Sequence, residues 1–284
     1  MNPQDFEKLA ALLHGRSGLV LGSDKAYLAE SRLAPVARQW QYVDVHALIR
    51  ALARREGSGA DARLLDDVVE AMTTNESFFF RDNKPFDQFR EFVLPALMSA
   101  RSASRSIRIW SAACSSGQEP YSLAMILKEM GARLEGWNIE ILGTDISRAI
   151  LKRARDGIYS QLEVQRGLPI QLLAKYFDQR GDQWQVKEEI RRMVQFREHN
   201  LLGEPPAAGR FDVVFCRNVL IYFDQATKAQ VLAKVAKAMA GDGYLTLGGA
   251  ETVLGVSDHF RTIPEQRGLY GRADAPSTAV ASGG

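Results

Sequence analysis

The sequence predicts an α/β protein in two parts: a small all-α portion, then a larger portion in which helices alternate with the strands of a mostly parallel sheet. Three observations carry this. Apolar residues recur at helical spacing through residues 1–74, and from about Pro85 helical and strand-like runs alternate. Between them, the run from Ile107 to Tyr121 reads as a buried strand, a tight loop of small residues and a helix entry.

In chain order, Phe6, Leu9, Ala10 and Leu13 share one helical face. A second helix is expected from about Asp24 to Trp40, bent or restarted near Pro35. Val45, Leu48, Ile49 and Leu52 mark a third, and Leu65, Val68, Val69 and Met72 a fourth, with Gly57-Ser58-Gly59 as the loop between them. A four-helix bundle over residues 1–74 is the simplest arrangement. Residues 75–84 form a connector with three consecutive phenylalanines, Phe78 to Phe80, followed by Arg81. A flexible tether would be polar and rich in glycine and serine, so this one is expected to be packed.

Strands are expected at Ile107–Ser111, Ile139–Gly143, Phe211–Cys216 and Tyr244–Gly248, with a late strand near Leu269–Gly271 closing the sheet edge. Leu232, Val235, Ala236 and Met239 mark the helix before the fourth strand, and Gly241-Asp242-Gly243 reads as a turn. Residues 158–200 break the alternation. They read as a small antiparallel insertion with a helix at about Pro169–Phe177, strands at Trp184–Val186 and Met193–His199, and a turn at Gly181-Asp182. The large portion then runs over 85–272, and the small, polar tail 273–284 is expected to be disordered.

Composition excludes several classes. Of 284 residues, 46% are hydrophobic, ample for a core, yet no apolar run reaches the length of a membrane span. The N-terminal residues do not read as a signal peptide, so a cytoplasmic location is expected. A net charge of +2 argues against general nucleic-acid binding. Locally, residues 20–55 carry Lys25, Arg32, Arg38, Arg50, Arg54 and Arg55 against Asp24, Glu30 and Asp44, six minus three, or +3. A solvated helix surface accounts for this as readily as a recognition face does. The two cysteines, Cys114 and Cys216, form no disulfide framework, and they are expected to lie close together at the ends of neighbouring strands. The four histidines show no metal-ligand spacing, so no metal is expected.

Strand, small-residue loop, helix, then a second strand running into Thr144-Asp145 is the outline of a nucleoside-binding βαβ unit. A carboxylate at the end of the second strand can accept two hydrogen bonds from a ribose diol, the reading the upstream loop favours for Asp145 over a helix cap. With Gly117 alone where three glycines would be expected, the run argues against a nicotinamide cofactor. Glu119, in the first turn after the loop, suits either a cationic ligand or the helix dipole. Arg217-Asn218 follows a strand where open α/β sheets bind ligands.

Three ordered blocks bring a resemblance: 72–82, from Met72 through Asn75-Glu76-Ser77 to Asp82; 113–122, from Ala113 through Gly117-Gln118-Glu119 to Ser122; and 214–224, from Val214 through Arg217-Asn218 to Asp224. They resemble the S-adenosylmethionine-dependent glutamate methyltransferases of chemotaxis receptors, the CheR family, over residues 5 to 272. The resemblance implies a Rossmann-like methyltransferase domain behind the helical one, S-adenosylmethionine as cofactor and S-adenosylhomocysteine as product. It implies cofactor contacts at Asn75, Ser77, Arg81, Glu119, Asp145, Asn200, Leu201, Arg217 and Asn218, and catalytic roles for Arg81 and Tyr222. Ser77 departs from the family's usual threonine but keeps the hydroxyl. Membrane chemoreceptors would be the partners, recognised by Lys25, Arg32 and Arg38. Members that tether to a receptor C-terminal peptide carry a longer loop than Gln179–Trp184 in the insertion, so tethering is not expected. A methyltransferase for another substrate, or a non-catalytic signalling protein that binds the same cofactor, stays open as an alternative.

Overall fold

The computed structural model describes residues 1–54, 59–206 and 211–275. The expected loop at Gly57-Ser58, the charge of Arg55 and most of the tail lie outside them. The chain divides into two compact units, residues 1–74 with 222–227 and residues 75–221 with 228–284.

The first unit contains four helices, Pro3–Ser17, Ala26–Gln39, Val45–Arg54 and Gly59–Met72. Asn2 caps the first by accepting from the Asp5 N–H at 2.8 Å, and Gly18 ends it in the left-handed conformation (φ 76°) that glycine adopts without penalty. Leu9, Leu13, Leu33, Leu48, Ile49 and Val68 are fully buried between the helices. The second helix does not restart at Pro35 but carries it internally. Arg32 is not a free surface charge: its guanidinium donates to the carbonyls of Met72 (3.0 Å) and Thr73 (2.9 Å) and so caps the end of the fourth helix. Segment 222–227 is fastened within this unit by Val20 N–H to the Tyr222 carbonyl (2.9 Å) and by His14 Nε2 to Asp224 Oδ2 (2.7 Å).

The second unit is built on strands β1 (Ser106–Ala112) and β2 (Asn138–Asp145). A three-stranded antiparallel sheet follows, from β3 (Ile158–Ser160), β4 (Phe177–Arg180) and β5 (Gln183–Val186). The main sheet continues with β6 (Val194–Glu198), β7 (Phe211–Cys216), β8 (Met239–Leu247), β9 (Phe260–Thr262) and β10 (Leu269–Arg272). Its order is β6-β2-β1-β7-β8-β10-β9, with β6 through β8 parallel and the last two joined antiparallel.

Three expectations are corrected here. Residues 193–199 do not belong to the antiparallel insertion, because β6 pairs in parallel with β2 and borders the main sheet. Gly241-Asp242-Gly243 is not a separate turn but a bulge within β8, where Phe211 faces Met239 and Val213 faces Tyr244. Asp242 is held out there by two hydrogen bonds from Arg101, at 2.8 and 2.6 Å. The late strand β10 is not the edge, since β9 pairs outside it.

The connector is packed, as its composition requires. Phe79 is fully buried, edge-on to Tyr159 (centroids 4.9 Å apart) and to Phe177 (5.5 Å). Phe80 meets Phe86 at 5.3 Å. Gly167 lies so close beneath that a Cβ there would stand 2.1 Å from the Phe79 carbonyl oxygen. Phe79→Ala is expected to cost about 3–5 kcal/mol, as large-to-small aromatic core changes do, read as a lowered midpoint in urea unfolding.

Candidate cofactor site

The site grows from the tips of β1, β2 and β7. After β1 the chain must turn sharply to enter the helix Gln118–Glu129. It does so with Ala113 (φ 60°), Ser115 (φ 51°) and Gly117 (φ 93°) in left-handed backbone, a cost that two non-glycine residues bear only where surrounding contacts enforce it. A Cβ on Gly117 would press on Ala154, Phe196 and Tyr121 at 3.1–3.2 Å. The loop is pinned from both sides. The Ser115 N–H donates to Asp145 Oδ2 (2.9 Å), and the Ser115 hydroxyl donates to the Asn75 carbonyl in the connector (2.8 Å).

Asp145 stands at the end of β2, and its other oxygen accepts from the Ser147 N–H at 3.0 Å. The following helix is capped by Ser147, whose hydroxyl accepts from the Ile150 N–H at 3.1 Å. The His199 N–H donates to the Asp145 carbonyl (2.9 Å), which brings Asn200 and Leu201 to the same strand tip. Asn200 itself turns the chain there, its side-chain oxygen accepting from the Leu202 N–H at 3.0 Å.

The cation beside Glu119 is Arg217. Its guanidinium, almost wholly buried, donates to Glu119 Oε2 (3.0 Å), to the Arg81 carbonyl (2.8 Å) and to Asp82 Oδ2 (2.7 Å). The Ser111 hydroxyl donates to the remaining oxygen of Glu119 at 2.8 Å. Arg217 therefore joins three segments that sequence reading treated as separate cofactor contacts. Its buried Nε has no acceptor among the described residues, a donor that costs free energy until something accepts from it.

Arg81 is half-buried, with its guanidinium donating to the Glu76 carbonyl (2.9 Å) and lying 5.4 Å from the centroid of the Phe78 ring. Ser77 is half-buried in the same connector. Asn218 follows Arg217 in left-handed backbone (φ 58°). Tyr222 closes the short turn Leu220–Tyr222 and groups with the first unit.

Sequence reading missed Glu251. Its carboxylate accepts from the N–H groups of Asn218 (2.8 Å), Val219 (2.9 Å), Ile221 (3.3 Å) and Gly248 (2.7 Å). No motif announces such a residue; one acid after a glycine-rich strand end looks like any surface acid. A cavity of about 630 Å³ opens beside it, bordered also by Asp82, Lys84 and Arg267.

The cysteine expectation holds in part. β1 and β7 are neighbours, with Ala112 opposite Cys216. The Cys114 sulfur, however, turns to the other flank of β1, toward Gly143 of β2. Burial, with nearby carboxylates adding to it, pushes both thiols well above their usual pKa, so they stay protonated. No cluster able to hold a metal ion occurs among the described residues.

A largely parallel sheet with a small-residue loop after β1, an acid at the tip of β2 and a buried arginine after β7 has the architecture of a nucleotide-binding α/β domain. The matches are more specific. Residues 75–269 match the family described as "CheR methyltransferase, SAM binding domain" and residues 4–73 match "CheR methyltransferase, all-alpha domain". The chain belongs to the CheR methyltransferase family and uses S-adenosylmethionine. It is similar to chemotaxis protein methyltransferase 1 of Pseudomonas aeruginosa (41% identical, covering 95% of this chain and 97% of that one). It is also similar to the chemotaxis protein methyltransferases of Vibrio parahaemolyticus (38%, covering 93% and 94%) and Borreliella burgdorferi (37%, covering 88% and 89%).

Breaking one half of a buried ion pair costs far more than removing both halves. Glu119→Leu alone leaves Asp82 paired with the guanidinium and is expected to destabilise the protein by roughly 1–3 kcal/mol, the cost of the unmet donor. Added to Arg217→Met it should cost much less, a coupling that a double-mutant cycle in urea unfolding measures.

Proposed function

We propose that this chain is a protein-glutamate O-methyltransferase that esterifies side chains on the cytoplasmic domains of chemotaxis receptors, and that it works in the cytoplasm. The observation that supports the reading is that one buried arginine after β7 joins the connector and the first turn of the helix after β1, each within a block that resembles the family. When bound, S-adenosylmethionine supplies a methyl group on a positively charged sulfur. Asp145, with Asn200 and Leu201 beside it, would hold the nucleoside end. Arg217 Nε would take the carboxylate of the amino-acid end, the acceptor that this donor lacks. Glu119 would face the ammonium while keeping Arg217 in place. Asn75 and Ser77 in the connector, and Asn218 after β7, complete the set.

The proposed reaction needs no general base. A glutamate side chain has an ordinary pKa of about 4.3 and is already an anion at neutral pH. What remains for the protein is alignment of oxygen, methyl and sulfur, an effect worth roughly 7–11 kcal/mol in well-oriented reactions. Arg81 and Tyr222 are the residues assigned to the incoming carboxylate. Arg81 is partly tethered by Glu76 and Phe78, which limits how tightly it can pair with that anion and so preserves the anion's nucleophilicity. Residues 1–74 are assigned to receptor recognition and residues 75–84 to the site.

Incubation with methyl-labelled S-adenosylmethionine and receptor cytoplasmic fragments should transfer label that mild base releases as methanol. Label stable to base, or none, would overturn the ester reading. With Arg32 committed to its helix cap, Lys25 and Arg38 remain exposed for an acidic receptor surface. Reversing both charges should raise the receptor KM severalfold in steady-state kinetics and leave cofactor affinity unchanged.

A further inference from the structure

Glu251 is an exposed-looking acid in the sequence, but its carboxylate accepts from four backbone N–H groups at the strand tips of the second unit. One carboxylate has about four lone-pair sites, and here four N–H groups occupy them. Three of these N–H groups come from the loop after β7, and the fourth from Gly248 at the end of β8. That loop begins at Arg217 and runs to Tyr222. The next residue, Asn218, sits in the left-handed conformation (φ 58°), which asparagine adopts more readily than other non-glycine residues.

The packing on the far side is equally tight. A Cβ on Gly248 would lie 2.7 Å from Glu251 Oε2, 2.9 Å from Asn218 Nδ2 and 3.0 Å from the Asn218 backbone nitrogen. Only a glycine lets the carboxylate and the Asn218 carboxamide lie together against β8. Glu251 and Gly248 therefore form a lock on the β7 loop from a strand that contributes no residue to the cofactor contacts assigned above.

We propose that Glu251 is a positioning residue for methyl transfer: its carboxylate fixes the backbone from Asn218 to Ile221 and so sets Asn218 for the cofactor. The inference rests on the methyltransferase reading. Glu251→Gln is the sharp test, because the amide is isosteric but replaces one accepting oxygen with a donor. That amide nitrogen would face two N–H groups and repel them. A misplacement of about 1 Å can cost on the order of 100-fold in rate. The expected result is a kcat lowered at least tenfold, S-adenosylhomocysteine affinity weakened severalfold by calorimetry, and a receptor KM close to wild type. Gly248→Ala keeps the carboxylate but crowds it and Asn218, and should reproduce the same split between kcat and KM. The wild-type protein run alongside separates the two ideas: wild type without turnover rejects the methyltransferase reading itself. Wild-type turnover with unaltered kcat and unaltered homocysteine-product affinity in both variants rejects the positioning role. So does a pair of variants that lose only melting temperature. Should Glu251→Gln fail to fold, Gly248→Ala decides alone.

Discussion

The buried guanidinium of Arg217 is the interaction on which the site depends. A charge taken out of water survives only if its hydrogen bonds are met. Here Glu119, the Arg81 carbonyl and Asp82 meet most of them. Because those three partners come from the first helix of the βαβ unit and from the connector, satisfying one side chain fixes the relative placement of segments far apart in sequence. The connector is then held along its length, by Ser115 at Asn75, by the Ser122 hydroxyl at the Phe80 N–H (3.0 Å) and by Arg217 at its end. A cofactor arriving at such a site pays little to organise it.

Much of this was legible in the sequence, for definite reasons. β7 is buried along its whole length, and β1 and β2 are buried over their C-terminal halves, so each carries a legible apolar run there. The helices of the first unit show their 3.6-residue period plainly. The aromatic content of residues 78–80 betrayed a packed connector because Phe79 has nowhere to go but a core. The three family-like blocks singled out Arg81, Glu119 and Arg217, which the structure joins through the Arg217 guanidinium.

What could not be read was set by tertiary pairing. β6 and β5 are both short, half-polar strands, and nothing local says that one joins the main sheet and the other a separate one. The Gly-Asp-Gly stretch has turn chemistry, yet Arg101 draws Asp242 out and lets the strand continue around it. β9 is three residues long, too short for any period. Arg32 looked like a surface charge because helix caps formed 40 residues away in sequence leave no local sign. Glu251 is the same case at the site: its four partners are backbone groups, invisible to any pattern of side chains.

The central claim is that Arg217 is held by protein carboxylates and keeps one donor for the cofactor's amino-acid end. Calorimetric titration with S-adenosylhomocysteine and with 5′-methylthioadenosine, which shares the nucleoside and thioether but lacks that end, tests it most directly. In the wild-type protein the account predicts a wide affinity gap between the two ligands, and in Arg217→Met a gap at least tenfold narrower. Because each gap is a ratio within one protein, a general loss of stability leaves it unchanged. An equal gap in both proteins would contradict the account.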